Sequence, residues 1–499
     1  MNIKKVENVL IANRHDPFKS LELIDTIQSL GIDLHFRHEI DQTLNMIYKE
    51  SGQLYGYYGR DLREVALCFR LLRQEGHNVQ ESVFENILDK KSGIKDDVQN
   101  DVKGLIELYE ASELGVEGEE TLDCMKMFTY NRLNELCSGR QSHEDREIMS
   151  SLAQPRHKTL RRLTSKRFMI KIAGDEDNEC LQSLLRVAEI DSIILKSLTQ
   201  DEISQTFKWW RELGLEKEVE KARSQPLKWH TWSMGILQDP TLYEQRLDLT
   251  KAISLIYIID DIFDVYGELE ELSIFTQVVE RWDHDGLEKL PRYMKVCFEA
   301  LDTITTEISM NVFKSYGWNP TDSLRKSWAS LCKAFLVEAK WFNSGYMPNT
   351  DEYMKNGVIS SGVHLVMLHV YFLLGEELTT DKVELIESNP RIISSAATIL
   401  RLYDDLGSAK DENQDGIDGS YVECYLNEHK GSTVGEARSH VAQKISKAWN
   451  CLNSECLTRP FSRTFSEACL NIARTVPLMY SYDDDQQLPG LNEYLKSIT

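Results

Sequence analysis

KAISLIYIIDDIFDVYG, Lys251–Gly267, runs from mostly apolar positions into three carboxylates, Asp260, Asp261 and Asp264, with only Ile262 and Phe263 between them. At about 3.6 residues per turn, the spacing predicts a buried helix with Asp260 and Asp264 stacked on one face and Asp261 about 100° round. Carboxylates crowded at the end of an apolar helix repel one another and lose hydration, so they need a cation or must take up protons. An all-oxygen set of this kind suits Mg²⁺, which keeps waters and shares its shell with substrate phosphates. A solvated acidic turn would carry the same three residues. The apolar run ahead of them counts against that reading.

The rest of the chain reads as helix nearly throughout. Only 11 prolines and 26 glycines punctuate 499 residues, and strand-like alternation between turn dipeptides is scarce. The expectation is an all-α protein of two helical domains. Amphipathic runs such as SLELIDTIQSLGI and REVALCFRLLRQEG fill the first, 1–188, which has no concentrated constellation of chemical groups. A polar stretch at Ala173–Glu179 precedes the second, 189–499, which holds both acidic motifs and further apolar helices over Tyr293–Tyr316, Ser323–Asn343 and Ile359–Leu374.

Composition narrows the function. A formal charge of −23 disfavours nucleic acid or an anionic membrane as partner, while an acidic enzyme still binds an anionic substrate through intervening metal ions. The ten cysteines are scattered, without a C-x-x-C, which fits free thiols better than a disulfide framework. The opening MNIKKVENVLIANRHD reads neither as a secretory signal nor as a Ser/Arg-rich transit peptide. The expected location is therefore cytoplasmic, or plastidic if such a segment has been removed. The most apolar run, Val363–Gly375, is too short to span a membrane and contains two histidines, so it reads as a core helix.

A second acidic constellation begins at Ile399, ILRLYDDLGSAKDENQDG. Asp404, Ser408 and Glu412 fall at i, i+4 and i+8, one stripe on a helix offering three oxygens to a divalent ion. Arg401, one turn earlier, could grip a phosphate oxygen. Two such faces across a bundle would cage divalent ions and a diphosphate, with apolar walls around a greasy tail. The metals and arginine would polarise the leaving group, and the dry pocket would shelter a carbocation.

The pair DDIFD and DDLGSAKDE resembles the DDxxD and (N/D)DxxSxxxE motifs of plant class I terpene synthases, and FKWWRELGL, LVEAKWF, ISS at Ile359–Ser361 and YVECYLNEH extend the resemblance over most of the chain. It implies a C-terminal class I bundle, a catalytically silent α-barrel-like N-terminal domain, and a monomer. It also implies three Mg²⁺ ions, with Mn²⁺ as a substitute. Asp260, Asp261 and Asp264 would hold them from one side; Asp404, Ser408 and Glu412 from the other. The implied substrate is geranyl or farnesyl diphosphate.

The departures from the family pattern are informative. Arg223-Ser224-Gln225 stands where members often carry R-x-R, so only the first arginine remains, with Lys228 nearby as a substitute charge. Trp232 matches the family's tryptophan at the pocket floor, where a ring face stabilises a cation. The R-R-x8-W signature of cyclising members is absent. On the lid stretch LMYSYDDDQQLPG, Asp483 is kept while Leu478 and Asp485 stand in place of tyrosines. This set resembles the linalool/nerolidol synthase subfamily, which implies an allylic cation captured by water at C3 to give an acyclic tertiary alcohol. The competing classes are a cyclising synthase, a trans-prenyltransferase, which typically has two similar DDxxD motifs, and a non-catalytic helical scaffold.

Overall fold

Apolar side chains recurring at three- and four-residue intervals dictate the architecture of this computed structural model, which describes residues 2–54, 61–89, 93–95, 99–137, 142–174, 178–219, 222–411, 419–481 and 488–498. In the Thr321–Ser344 helix the stripe is Leu324, Trp328, Leu331, Cys332 and Phe335; in Arg292–Tyr316 it includes Cys297, Leu301, Ile304, Ile308 and Val312. Each stripe buries one face and leaves the other polar. Among the described residues the fold is all-α apart from one antiparallel pair of two-residue strands, Leu88–Asp89 with Gly93–Ile94.

The chain divides into two compact units, Met1–Lys196 with Asn453–Thr458, and Ser197–Leu452 with Arg459–Thr499. The expected division at 188 precedes the observed change of unit. The Glu179–Leu213 helix contains no Pro or Gly to stop it there. In the first unit Leu21, Ile24, Phe36, Leu67, Phe69 and Leu108 belong to the main core. Beside it the buried Arg70 pairs with Glu107 and, at 2.7 Å, with Asp25.

The second unit is built round the Val363–Leu374 helix, which is buried on nearly all sides and so reads as apolar all round. Where the sequence predicts one helix from Ile359, two are present, Thr350–Ser360 and Val363–Leu374. Gly362 separates them at φ +72°, a conformation a side chain would strain. The stretch Thr350–Leu374 is apolar enough to cross a membrane by length and composition, but most of it is buried in protein. His364 and His369 are each within hydrogen-bonding distance of a backbone carbonyl, Ile386 and Leu365. It is a core element. All ten cysteines are free thiols.

Candidate active site

The apolar helix Tyr243–Asp261 does not carry its periodicity through the acidic motif. After Asp261 the backbone widens into a π turn, Ile262–Tyr266, closed by the Gly267 N–H donating to the Ile262 carbonyl at 2.9 Å. The expected α-helical stacking of Asp260 and Asp264 is thereby corrected: Asp264 sits in the wider turn, a device often found at functional sites. Gly267 makes the close approach feasible, since a Cβ there would fall 2.3 Å from the Leu272 side chain and 3.0 Å from the Ile262 carbonyl. Asp260 and Asp261 face Arg223, whose guanidinium donates to Asp260 at 2.5 Å and to Asp261 at 2.7 Å. The Arg223 backbone N–H also donates to Asp261, at 2.7 Å.

The opposite wall comes from the Arg391–Asp411 helix. Arg401 donates to Ser360 at 2.7 Å and lies 3.7 Å from both Glu338 and Asp404. Ser360 donates in turn to Glu338 at 2.6 Å, and Asn356 donates to the same oxygen at 3.0 Å. Behind this wall the buried Asp405 accepts from the Tyr353 hydroxyl at 2.7 Å and the Tyr421 N–H at 3.1 Å. Arg401 is thus braced on both sides before any substrate arrives.

Between the walls lies a cavity of about 420 Å³, within the range of small-ligand sites. Arg223, Trp232, Asp260, Asp261, Asp264, Arg401 and Asp404 all line it, with Ile253, Ile256, Phe335, Val363, Val366 and Leu400. Five polar contributors escaped the sequence reading: Glu338, Tyr257, Ser360, Ser361 and Tyr480. The Trp232 indole donates to the Tyr257 hydroxyl at 3.0 Å, and its ring centroid lies 6.2 Å from that of Tyr480. Leu478, where a tyrosine was expected, is buried on the same helix but does not line the cavity. Residues 478 and 480 point about 200° apart on a helix, so a two-residue change of register selects the other face. MYSY carried that signal.

The remaining predicted residues are only partly covered. Ser408 lies on the Arg391–Asp411 helix with its side chain outside the described residues; Glu412 and Asp483 lie wholly outside them. Among the described residues no three His, Cys, Asp or Glu side chains form a metal-binding group. Arg223 engages two carboxylates of the first motif, and the second motif is not complete within the described chain. Even so, carboxylate oxygens from three helical segments face the cavity, those of Asp260, Asp261 and Asp264, of Glu338 and of Asp404, a set chemically fitted to a hard divalent cation.

Crowding shows in the electrostatics. Burial, then Asp260 and Glu338, push Asp264 up to about 7, although its side chain opens to solvent at the mouth. Burial raises Asp404 as well, and takes Asp405 to about 7. Burial opposes the Arg401 charge, but Tyr353, Glu338, Asp405 and Asp404 hold its pKa above the ordinary value. A carboxyl whose folded pKa is raised binds more protons folded than unfolded, so its stabilisation is present at low pH and is lost as pH rises through the folded value. Metal-free Asp264→Asn is therefore expected to melt above the wild type at pH 8, with the gap narrowing as pH falls below about 7 and closing only near the ordinary carboxylate value, about pH 4. Melting curves in a chelating buffer check this; a gap that is constant or widens on acidification refutes it.

Two family models match in order along the chain: the terpene synthase N-terminal domain over residues 2–154 and the terpene synthase metal binding domain over residues 211–451. The S-(+)-linalool synthase, chloroplastic, of Arabidopsis thaliana is 78% identical over 501 residues, all of this chain and 87% of that protein. An (E)-nerolidol synthase of Cannabis sativa is 46% identical over all of this chain and 91% of its own length. Grey poplar isoprene synthase, solved with three Mg²⁺ ions and dimethylallyl-S-thiolodiphosphate, superposes with a TM-score of 0.92 at 32% identity, covering 100% of this chain and 96% of that one. A cavity walled by carboxylates and hydrocarbon, on an all-α frame matched over its full length, has one family behind it: the chain is a member of the plant terpene synthases, lyases with a divalent-metal binding domain.

Proposed function

We propose that this enzyme ionises geranyl diphosphate and adds water at C3 to give linalool, and converts farnesyl diphosphate to nerolidol by the same route. The carrying observation is the convergence of Asp260, Asp264, Asp404 and Arg401 on one cavity whose remaining wall is largely apolar. The names of the linalool and nerolidol synthases support acyclic alcohols as products. The chloroplastic name of the former favours geranyl diphosphate, and a plastid location over the cytoplasmic one expected above.

Asp260, Asp261 and Asp264 would hold Mg²⁺ from one wall, and Asp404, with Ser408 and Glu412, from the other. When bound, three such ions would screen the diphosphate and polarise the bond that breaks; Mn²⁺ has the same preference for oxygen donors. Arg401, preset by Ser360 and Glu338, is placed to receive a diphosphate oxygen. Arg223 sits beside the same carboxylates and would engage the diphosphate as they turn to metal. The C1–O electron pair leaves with the diphosphate, and the chain becomes an allylic cation shared between C1 and C3. Trp232, Tyr257 and Tyr480 present ring faces and edges to that charge. A water oxygen bonds to C3 and releases one proton, completing linalool. An apolar wall that keeps the chain extended separates C1 from the distal double bond and leaves water as the nearer nucleophile.

Supplied separately with geranyl and farnesyl diphosphate and Mg²⁺, the purified enzyme is expected to yield linalool and nerolidol as the major products by gas chromatography. Mainly cyclic hydrocarbons would reject the acyclic reading, and elongated prenyl diphosphates in a parallel assay with isopentenyl diphosphate added would reject the synthase reading.

A further inference from the structure

We propose that Lys228 is a second diphosphate-gripping cation of this chain; the inference rests on the function proposed above and names the residue that supplies the charge Gln225 lacks. Gln225 is exposed at the start of the Pro226–Ile236 helix and does not line the cavity. Lys228, less than one turn further on, does. Its ammonium stands 5.9 Å from the ring centroids of both Tyr257 and Tyr480.

The other cations of the cavity have partners. Arg223 is bound to Asp260 and Asp261, and Arg401 to Ser360, with Glu338 and Asp404 close by. Among the described residues no carboxylate stands within ion-pair distance of Lys228, and two aromatic rings are incomplete compensation for lost hydration. Burial and then Arg223 pull its pKa below the ordinary value, while Asp404 supports the charge from across the cavity. An anion entering this space meets an ammonium whose favourable partner is still to come.

Position decides what that anion is. A fixed positive charge repels a carbocation, so Lys228 gains nothing from the hydrocarbon part of the substrate. It gains from the diphosphate, whose charge grows as the C1–O bond breaks. The flexible four-carbon stem lets a point charge follow the departing group, where an arginine would offer a rigid fork.

Calorimetric titration of inorganic diphosphate into the Mg²⁺-saturated protein tests this without turnover. Lys228→Met and Lys228→Gln are each expected to raise the dissociation constant about tenfold or more, whereas Lys228→Arg should stay within about threefold of the wild type. Melting curves without ligand establish that the variants fold, the glutamine variant keeping a polar end between the two rings. Unchanged diphosphate affinity in both neutral variants overturns the proposal and leaves Lys228 as a brace for Tyr257 and Tyr480. Asp264→Ala serves as the control: if it too leaves Mg²⁺-dependent diphosphate binding intact, the site reading itself fails, not the Lys228 assignment alone.

Discussion

Asp264→Ala is expected to lower turnover of geranyl diphosphate by about two to three orders of magnitude, the range for losing one preorganised electrostatic contributor, roughly 3–4 kcal/mol. The same variant should melt no earlier than the wild type in the absence of metal. Both halves follow from one geometry. Asp264 shares its corner with Asp260 and Glu338, and burial, then those two charges, raise its pKa to about 7. Removing a carboxylate from that crowd relieves repulsion in the empty protein and leaves the apolar contacts of Ile262 and Phe263 in place. Under the proposed metal role the balance would reverse with substrate, because the same crowding would draw divalent ions into the site. Single-turnover rates beside urea melts decide the matter. A variant that keeps its rate while unfolding early would make Asp264 a structural residue and remove the metal assignment on that wall.

The sequence made the class of fold legible, and brought Asp260, Asp261, Asp264 and Asp404 to notice, for a simple reason. Helical periodicity and i, i+4 spacing are local, and 3.6 residues per turn converts them directly into faces. What it could not reveal depends on geometry set elsewhere. The π turn at Ile262–Tyr266 alters the stacking of Asp260 and Asp264, and nothing in the spacing of the acidic residues signals that widening. Glu338 looks like one more charge within LVEAKWF until Ser360, Asn356 and Arg401 are seen to converge on it. Tyr480 was hidden by register: matching the lid motif at Leu478 selects the wrong side of the Arg463–Tyr480 helix. The boundary drawn at 188 falls within the Glu179–Leu213 helix, and the change of unit follows at Lys196, a difference that the local composition at Ala173–Glu179 does not encode.

Glu202→Ala should do the opposite of Asp264→Ala, costing stability of about 3–5 kcal/mol while sparing the chemistry of the molecules that remain folded. Glu202 is 1% exposed and accepts two hydrogen bonds from the equally enclosed Arg246, one at 2.9 Å. Against the upward push of burial, Arg246 and His230 hold the Glu202 carboxyl below its usual range. Arg246 also donates to the backbone carbonyls of Leu237 at 3.0 Å and Asp239 at 2.5 Å. One guanidinium therefore ties the Glu179–Leu213 helix to the turn that launches the Tyr243–Asp261 helix, at whose far end Asp260 and Asp261 stand. Deleting Glu202 leaves that cation buried without a counter-charge, which is worse than removing both partners. The double variant Glu202→Met/Arg246→Met is accordingly expected to recover much of the loss, because neither charge is then stranded. Urea denaturation of the single and double variants, analysed as a cycle, measures the coupling. The rate per folded molecule at low temperature should stay within about threefold of the wild type, as neither Glu202 nor Arg246 lines the cavity formed by the described residues. A loss below about 1 kcal/mol for the single variant would mean that water reaches Arg246 and that the helix is held in place by its apolar face alone.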